Sequence, residues 1–535
     1  MKSASAVALT FGTWIFAGWG GGVMQAAEPS FKQWCQQQAI LSAEARITVE
    51  VLLAQAETDN CELAAKNLVS RTTLYLDQKG LSDLSLLSEL TNLEELSLHN
   101  NQIVDIRPLV RLKNLKRLSL GGNQITDISV LAGLKNLTTL SLGGNPITDI
   151  SPLAGLTNLN WLNLYNNSIV DVSPLARLTN LTGLNLENNP IKDISPLAGL
   201  TNLTQIDLNA NKITDISSLA GLKNLTELRL GENQIKDIKP LAGLKNLTEL
   251  YLEDNQITDI SSLATLTNLT RLILTLNQIT DVSPLAGLQN LNWLNLRFNQ
   301  ITDISPLARL TNLTDLYLQD NYIINVNPLA RLTNLTRLDL DYNQITDVNA
   351  LAGLNKLEQL NLEGNQIDVS SLAGLKNLNS LNLHNNQITD VSALTRLTSL
   401  TTLTLSDNQI TDVSLLAELT NLTNLGLSNN PITDVSPLAK LTNLKSLTLK
   451  GKQITDISPL VGLTNLTLLN LEGNQIKDVS PLAKLTNLST LNLRFNPVTD
   501  FSPLAELPNL TTLYLADNLL TQPTCPVSNS VVCKF

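Results

Sequence analysis

The chain has 535 residues and a net charge of −11, with 16% of its residues charged and 4% aromatic. A chain this acidic lacks the basic footprint that nucleic acid or anionic lipid requires. Its 2 His and 4 Cys leave almost no material for histidine-driven catalysis or a His-rich metal site, and nothing in it calls for a cofactor.

Residues 1–27 read as an export signal. Lys2 is the sole charge before Glu28, and the apolar, glycine-rich stretch between them ends in Gln25-Ala26-Ala27. The stretch is nearly long enough to span a bilayer, so an uncleaved anchor is the alternative. No second long apolar run follows, so no integral membrane domain is expected once the signal is removed.

Residues 28–70 read as a helical N-terminal cap. Ala45, Val49, Leu52, Leu53 and Ala56 follow helical spacing after Ser42, an N-cap candidate, and Leu63 and Leu68 suggest a second helix after Asp59 or Asn60. A solenoid end exposes its leucine core, so a cap is physically required.

From residue 71 to 523 the sequence repeats every 22 residues, in about 21 units that begin at 71, 93, 115, 137 and onward. In the unit from 137, Leu140 and Leu142 alternate around Ser141, the period-2 signature of a short strand with one buried face. Ser151-Pro152 reads as a cap residue followed by Pro at a first helical position, and Leu153 and Leu156 then point inward from a short 3₁₀ turn. No unit buries its own leucines; stacked units do, each supplying a wall of the next one's core. At ~4.8 Å per strand the parallel sheet is about 100 Å long.

The Asn after each strand, as in Asn101, Asn145, Asn255, Asn299, Asn365 and Asn496, is expected to form a buried ladder along the stack. Lys79 and Lys452 interrupt it. Lys452 lies inside the array, where a local irregularity is expected with its ammonium in solvent. The unit from 357 has 21 residues, because Asp368 directly follows Ile367.

The pattern L-x-x-L-x-L-x-x-N-x-I-x-D-[IV]-x-P-L-x-x-L-x-x resembles the 22-residue leucine-rich repeat of bacterial internalins and related secreted or surface proteins. The resemblance lies in the repeats alone. It implies an α/β-type repeat solenoid: a right-handed horseshoe with a parallel concave sheet and short 3₁₀ or irregular convex segments. Host-receptor binding does not follow from it.

Four cysteines flank the array. An array this long holds its ends far apart, so local pairing, Cys35 with Cys61 and Cys525 with Cys533, is expected, in an oxidising compartment. The second pair would close a short C-terminal cap over 524–535.

Side chains between the strand leucines face the concave surface, where the scaffold leaves sequence free. Most units place small polar residues there. The middle units instead carry Tyr251, Ile273, Trp293, Tyr317 and Tyr342, with Leu276 and Phe298 at strand ends and Arg271, Arg297 and Arg337 among them. Aromatics with Arg are the types enriched at interface hot spots; the alternative is that such residues simply suit strands. Trp161 with Tyr165 forms a second candidate patch, and Arg494, Phe495 and Tyr514 a third. Asp339 and Asp341 face the same way as Arg337 and read as a salt-linked surface rather than a calcium or acid–base site. His99 and His384 stand too many units apart to cooperate. The recurring Asn-Leu-Thr triplets match a glycosylation sequon but belong to the repeat itself.

The reading is a non-enzymatic recognition protein, secreted, periplasmic or at the cell surface, that binds a protein, peptide or glycan on its concave face. The alternatives are a structural envelope or surface-layer protein and, if the N-terminus is kept, a cytoplasmic scaffold.

Overall fold

The computed structural model describes residues 30–505, 507–519, 525, 527 and 532–535. The expected signal at 1–27 lies outside these residues, as do 520–524, 526 and 528–531 of the chain's end. Three helices open the fold: α1 (Phe31–Gln36), α2 (Ala43–Ala56) and α3 (Cys61–Val69). Ser30 and Gln33 form a reciprocal capping box on α1, a helix absent from the sequence reading. Ser42 and Asn60 cap α2 and α3 through their side-chain oxygens. A disulfide joins Cys35 of α1 to Cys61 of α3. Val49, Leu52, Ala56, Ala64 and Leu68 of this helical layer join the core of the array, whereas Leu63 points into solvent.

Among the described residues, twenty-two strands of three residues form one parallel sheet. Each pairs with the next strand in the chain, one repeat on, as in Thr73 with Glu95 and Arg271 with Trp293. The spacing falls by one residue between Gln359 and Ser380, where the short unit sits. The last strand, Val532–Lys534, adds to the sheet edge beside Thr512–Tyr514, and the Cys525–Cys533 disulfide closes it. The chain's end therefore extends the sheet as well as covering it.

Each coil buries its leucines against its neighbours. Leu137, Leu140, Leu142, Ile147, Ile150, Leu153 and Leu156 are all at most 1% exposed. Full burial of one such side chain is worth about 1.5–3 kcal/mol, which only a neighbouring coil can supply. The 3₁₀ turn begins at Ser151, but Ser151 is not its cap. Asp149 accepts the Ser151 N–H at 2.8 Å and its hydroxyl at 3.0 Å. The repeated D-[IV]-S is thus an Asx-type turn that starts each convex segment. Such Ser-derived hydrogen bonds hold the carboxyls of Asp127, Asp193, Asp259 and Asp303 below the usual carboxylate range.

Two asparagine ladders run along the stack, the inner one interrupted at Lys79 and Lys452 and the outer one at Lys356 and Ser399. In the inner one, Asn123 Nδ2 donates to the carbonyls of Leu98 and Leu120 at 3.1 and 2.9 Å. Its Oδ1 accepts the Ile103 N–H at 3.0 Å. The carboxamides bridge backbone of adjacent coils rather than bonding to one another. In the outer ladder the Asn of each Thr-Asn-Leu or Lys-Asn-Leu donates to a carbonyl one coil back, as Asn158 does to Lys135 at 2.9 Å. The carboxamide of the sequon is therefore occupied in holding the convex side together.

Candidate functional site

The side chains two, four and six residues after each leading leucine alternate with buried leucines and face the concave side. In one coil these are Arg271, Ile273 and Thr275, around Leu272 and Leu274. The register sets equivalent positions of adjacent coils side by side. At the centre of the sheet this places guanidiniums against rings. The Arg229 carbon Cζ lies 4.2 Å from the Tyr251 ring centre, that of Arg271 4.7 Å from Trp293, and that of Arg297 5.6 Å from Tyr317. Trp293 and Tyr317 meet with centroids 5.2 Å apart and planes tilted by 47°. Such stacking is worth about 0.5–1 kcal/mol at an exposed site and more when desolvated.

The residues differ in how far they are free. Tyr251 is buried beneath Arg229, and its hydroxyl donates to Glu249 at 2.5 Å. Burial and that bond push its hydroxyl up to about 12. It supports the patch from below and is not an open contact residue. Arg229 pairs with Glu227 at 2.7 Å and Arg337 with Asp315 at 3.0 Å. Arg271 and Arg297 have no carboxylate within 4.0 Å among the described residues. Arg297 reaches the Gln319 oxygen at 3.3 Å, and its Nε is buried without a partner.

The residue seven after the leading position carries a left-handed backbone in every coil but the one from 444. Most coils place Asn, Asp or Gly there, the residues that tolerate it, as at Asn188, Asp254 and Gly144. Leu276, Phe298 and Tyr342 occupy it at φ of 56°, 54° and 46°. Their side chains are 48%, 40% and 47% exposed. A bulky residue in this conformation is an outlier costing on the order of 1–2 kcal/mol. These three are thus not strand residues, and β-propensity does not account for them. The Tyr342 ring lies against Gly364 and its hydroxyl donates to Glu363 at 2.6 Å.

Asp339 and Asp341 do not form the expected salt link with Arg337, because the register gives that arginine to Asp315 of the preceding coil. Both carboxyls are held back from water. Burial raises Asp339 even though the Arg297 charge opposes the shift. Burial, and then the Asp339 charge, push Asp341 up to about 7. Asp207 is pushed up to about 6, chiefly by burial. A shallow depression of about 250 Å³ opens between Tyr317, Arg337, Asp339, Gln359 and Asn382.

Trp161 and Tyr165 do not form one surface. Trp161 leans forward over Gly183, and Tyr165 leans back over Gly143. Either glycine's Cβ would clash with the ring, so the glycine makes room for the aromatic. Trp161 lines a depression of about 240 Å³ together with Asp207, Glu227 and Arg229. Arg229 therefore links this patch to the central one, a role the sequence reading missed. At the far end, Tyr514 lies between Arg494, at 5.8 Å, and Lys534, at 4.9 Å, with Phe495 exposed. His384 sits 3.4 Å from Asp407 and 3.9 Å from Glu363. Also missed were Tyr322 and Ile324, exposed where other coils place Gln and Thr in N-Q-I-T. Departure from the consensus was the available signal.

A stack of one-coil units with a variable concave face defines a leucine-rich repeat solenoid. Two family descriptions match: "Leucine Rich repeats (2 copies)" in successive segments from 113–155 to 486–524, and "Leucine rich repeat" over 311–367. The chain belongs to the leucine-rich repeat family, in its bacterial internalin-type form. An internalin (inlF) of Listeria monocytogenes is 39% identical, with a TM-score of 0.59, over 63% of this chain and 98% of that one. The functional domain of InlJ from the same organism is 26% identical, with a TM-score of 0.54, over 63% and 74%. A Leptospira interrogans leucine-rich repeat protein is 25% identical, with a TM-score of 0.51, over 85% and 99%. No curated protein matches the chain. The InlJ domain includes a cysteine ladder; the ladders of this chain are asparagine, and its cysteines lie outside residues 71–523.

Proposed function

We propose that the protein is an exported recognition protein that binds a protein or peptide ligand on its concave face, centred on residues 251–342. The observation that carries this reading is the row of Leu276, Phe298 and Tyr342. Each is exposed, and each stands where the backbone favours Asn, Asp or Gly. Strain kept at an exposed position, with only Tyr342 gaining a hydrogen bond in return, points to selection for contact. The neighbouring Trp293, Tyr317 and arginines supply the residue types that dominate binding hot spots. Export is supported by the two disulfides, which persist in oxidising compartments.

Panning a displayed random-peptide library against the native chain and against a Leu276→Asn/Phe298→Asn/Tyr342→Asn variant tests the reading. A peptide family enriched by the native chain and lost with the variant is expected. Equal enrichment by both would remove the patch. Binding to a glycan array with no peptide enrichment would move the ligand to another class.

A further inference from the structure

The concave centre has an unbalanced charge. Of the four arginines along it, Arg229 and Arg337 are neutralised by Glu227 and Asp315. Arg271 and Arg297, on either side of the Trp293–Tyr317 pair, have no carboxylate within 4.0 Å among the described residues. Both are held in place by the rings they cover, at 4.7 and 5.6 Å, so little side-chain entropy remains to be lost on binding. In a chain of net charge −11, two stacked and unpaired guanidiniums form a local positive site.

Resting on the concave-face reading above, we propose that this centre seats an extended acidic polypeptide segment. Arg271 and Arg297 each take one carboxylate, and the apolar side chains between them meet Leu276 and Phe298. Guanidinium–carboxylate pairing can be bidentate and charge-assisted, which suits a planar fork already fixed on a ring. The spacing fits such a segment. The two guanidiniums are linked through the ring pair by steps of 4.7, 5.2 and 5.6 Å. An extended chain advances about 3.3 Å per residue, so acids up to four or five residues apart cover that path.

A polypeptide fits better than a glycan. Each ring carries a guanidinium on one face, and the rings tilt by 47° to one another, so no flat open platform is left for a sugar.

The test uses the full chain and two short fluorescent peptides, one alternating Glu with Leu and one with Gln in place of Glu. The Glu peptide is expected to bind at least about tenfold more tightly, with affinity falling as salt rises. Arg271→Gln and Arg297→Gln are each expected to cut that affinity about tenfold and leave the Gln peptide unaffected, with circular dichroism and melting temperature unchanged. Arg→Lys at either position should recover part of the loss. Equal binding of both peptides, lost in Phe298→Asn but not in the arginine variants, would overturn the carboxylate seat and leave the concave-face reading standing. Failure of both peptides, or binding indifferent to Phe298→Asn, would overturn both. Arginine-dependent binding of a polyuronate in preference to the Glu peptide would overturn the polypeptide assignment.

Discussion

Arg337 donates to the buried carboxylate of Asp315 at 3.0 Å, across one coil and at the same strand position. The pair shows how this fold works as a surface. The register places equivalent positions of adjacent coils side by side, so here a charge on one coil is answered by its neighbour in the stack.

Asp315 depends on that answer because it is shielded from water. Replacing Arg337 with Ala leaves it uncompensated. Since Arg337 is itself half-exposed, the cost is expected to be only about 1 kcal/mol. Asp315→Asn should restore most of that loss. A double-mutant cycle by chemical denaturation measures the coupling, and additive single effects would show that the pair contributes nothing.

Leu276, Phe298 and Tyr342 should separate stability from binding. Each replaced by Asn, the residue its backbone prefers, is expected to gain from a few tenths to about 1 kcal/mol. Tyr342 should gain least, since its hydroxyl bond to Glu363 is lost. The same substitutions should weaken ligand capture. Thermal melts beside the panning experiment give both readouts, and a loss of stability in Leu276→Asn would contradict the assignment of strain.

The buried acids set a pH dependence. Asp341 is pushed up to about 7 and Asp207 to about 6, from an ordinary value of 3.8. Between roughly pH 4 and pH 7 the folded chain holds protons that the unfolded chain has released, so stability falls as pH rises through that window. It is full below about pH 4 with respect to these groups and level above about pH 7. Asp341→Asn should flatten the slope and melt higher than the native chain at pH 8. Melting curves taken across that range check the sign.

The period, the parallel sheet, the 3₁₀ turns and an Asn ladder could all be read from Leu140, Leu142, Leu153 and Asn145, because burial and backbone pairing act on every coil alike. The patch was legible only as composition. Which way a side chain leans, such as Trp161 forward over Gly183 and Tyr165 back over Gly143, depends on the space a neighbour leaves. The partner of Arg337 likewise depends on register. Sequence placed Asp339 close by along the chain, while the sheet placed Asp315 closer in space. The left-handed backbone at Leu276, Phe298 and Tyr342 was signalled by the Asn, Asp and Gly of other coils, a regularity visible only once the turn is known.

Two coils with Gln at the flank position lack the bond that Gln makes there in other coils, and both should exchange hydrogen fast. Elsewhere the Gln after each ladder Asn donates to an Ile carbonyl one coil back, as Gln366 does at 3.0 Å and Gln475 at 2.9 Å. Among the described residues neither Gln387 nor Gln453 has such a bond. At Gln387 the missing residue before Asp368 is responsible: φ turns to 62°, Ile367 becomes 6% exposed, and a gap of about 440 Å³ opens beside Asp368 and Asp390. At Gln453 the cause is Lys452, exposed where other coils bury Asn, which leaves the Ile432 N–H without the carboxamide oxygen. Because a repeat array is held together by nearest neighbours, each lost bond weakens its own junction. The Gln387 and Gln453 amides should exchange at least about tenfold faster than those of Gln366 and Gln475. Lys452→Asn restores an acceptor for Ile432 and donors for the Leu427 and Leu449 carbonyls. It should slow exchange locally and stabilise the array by about 1 kcal/mol, where Lys452→Ala should do neither. Identical exchange in the native chain and Lys452→Asn would show that the junction does not limit stability.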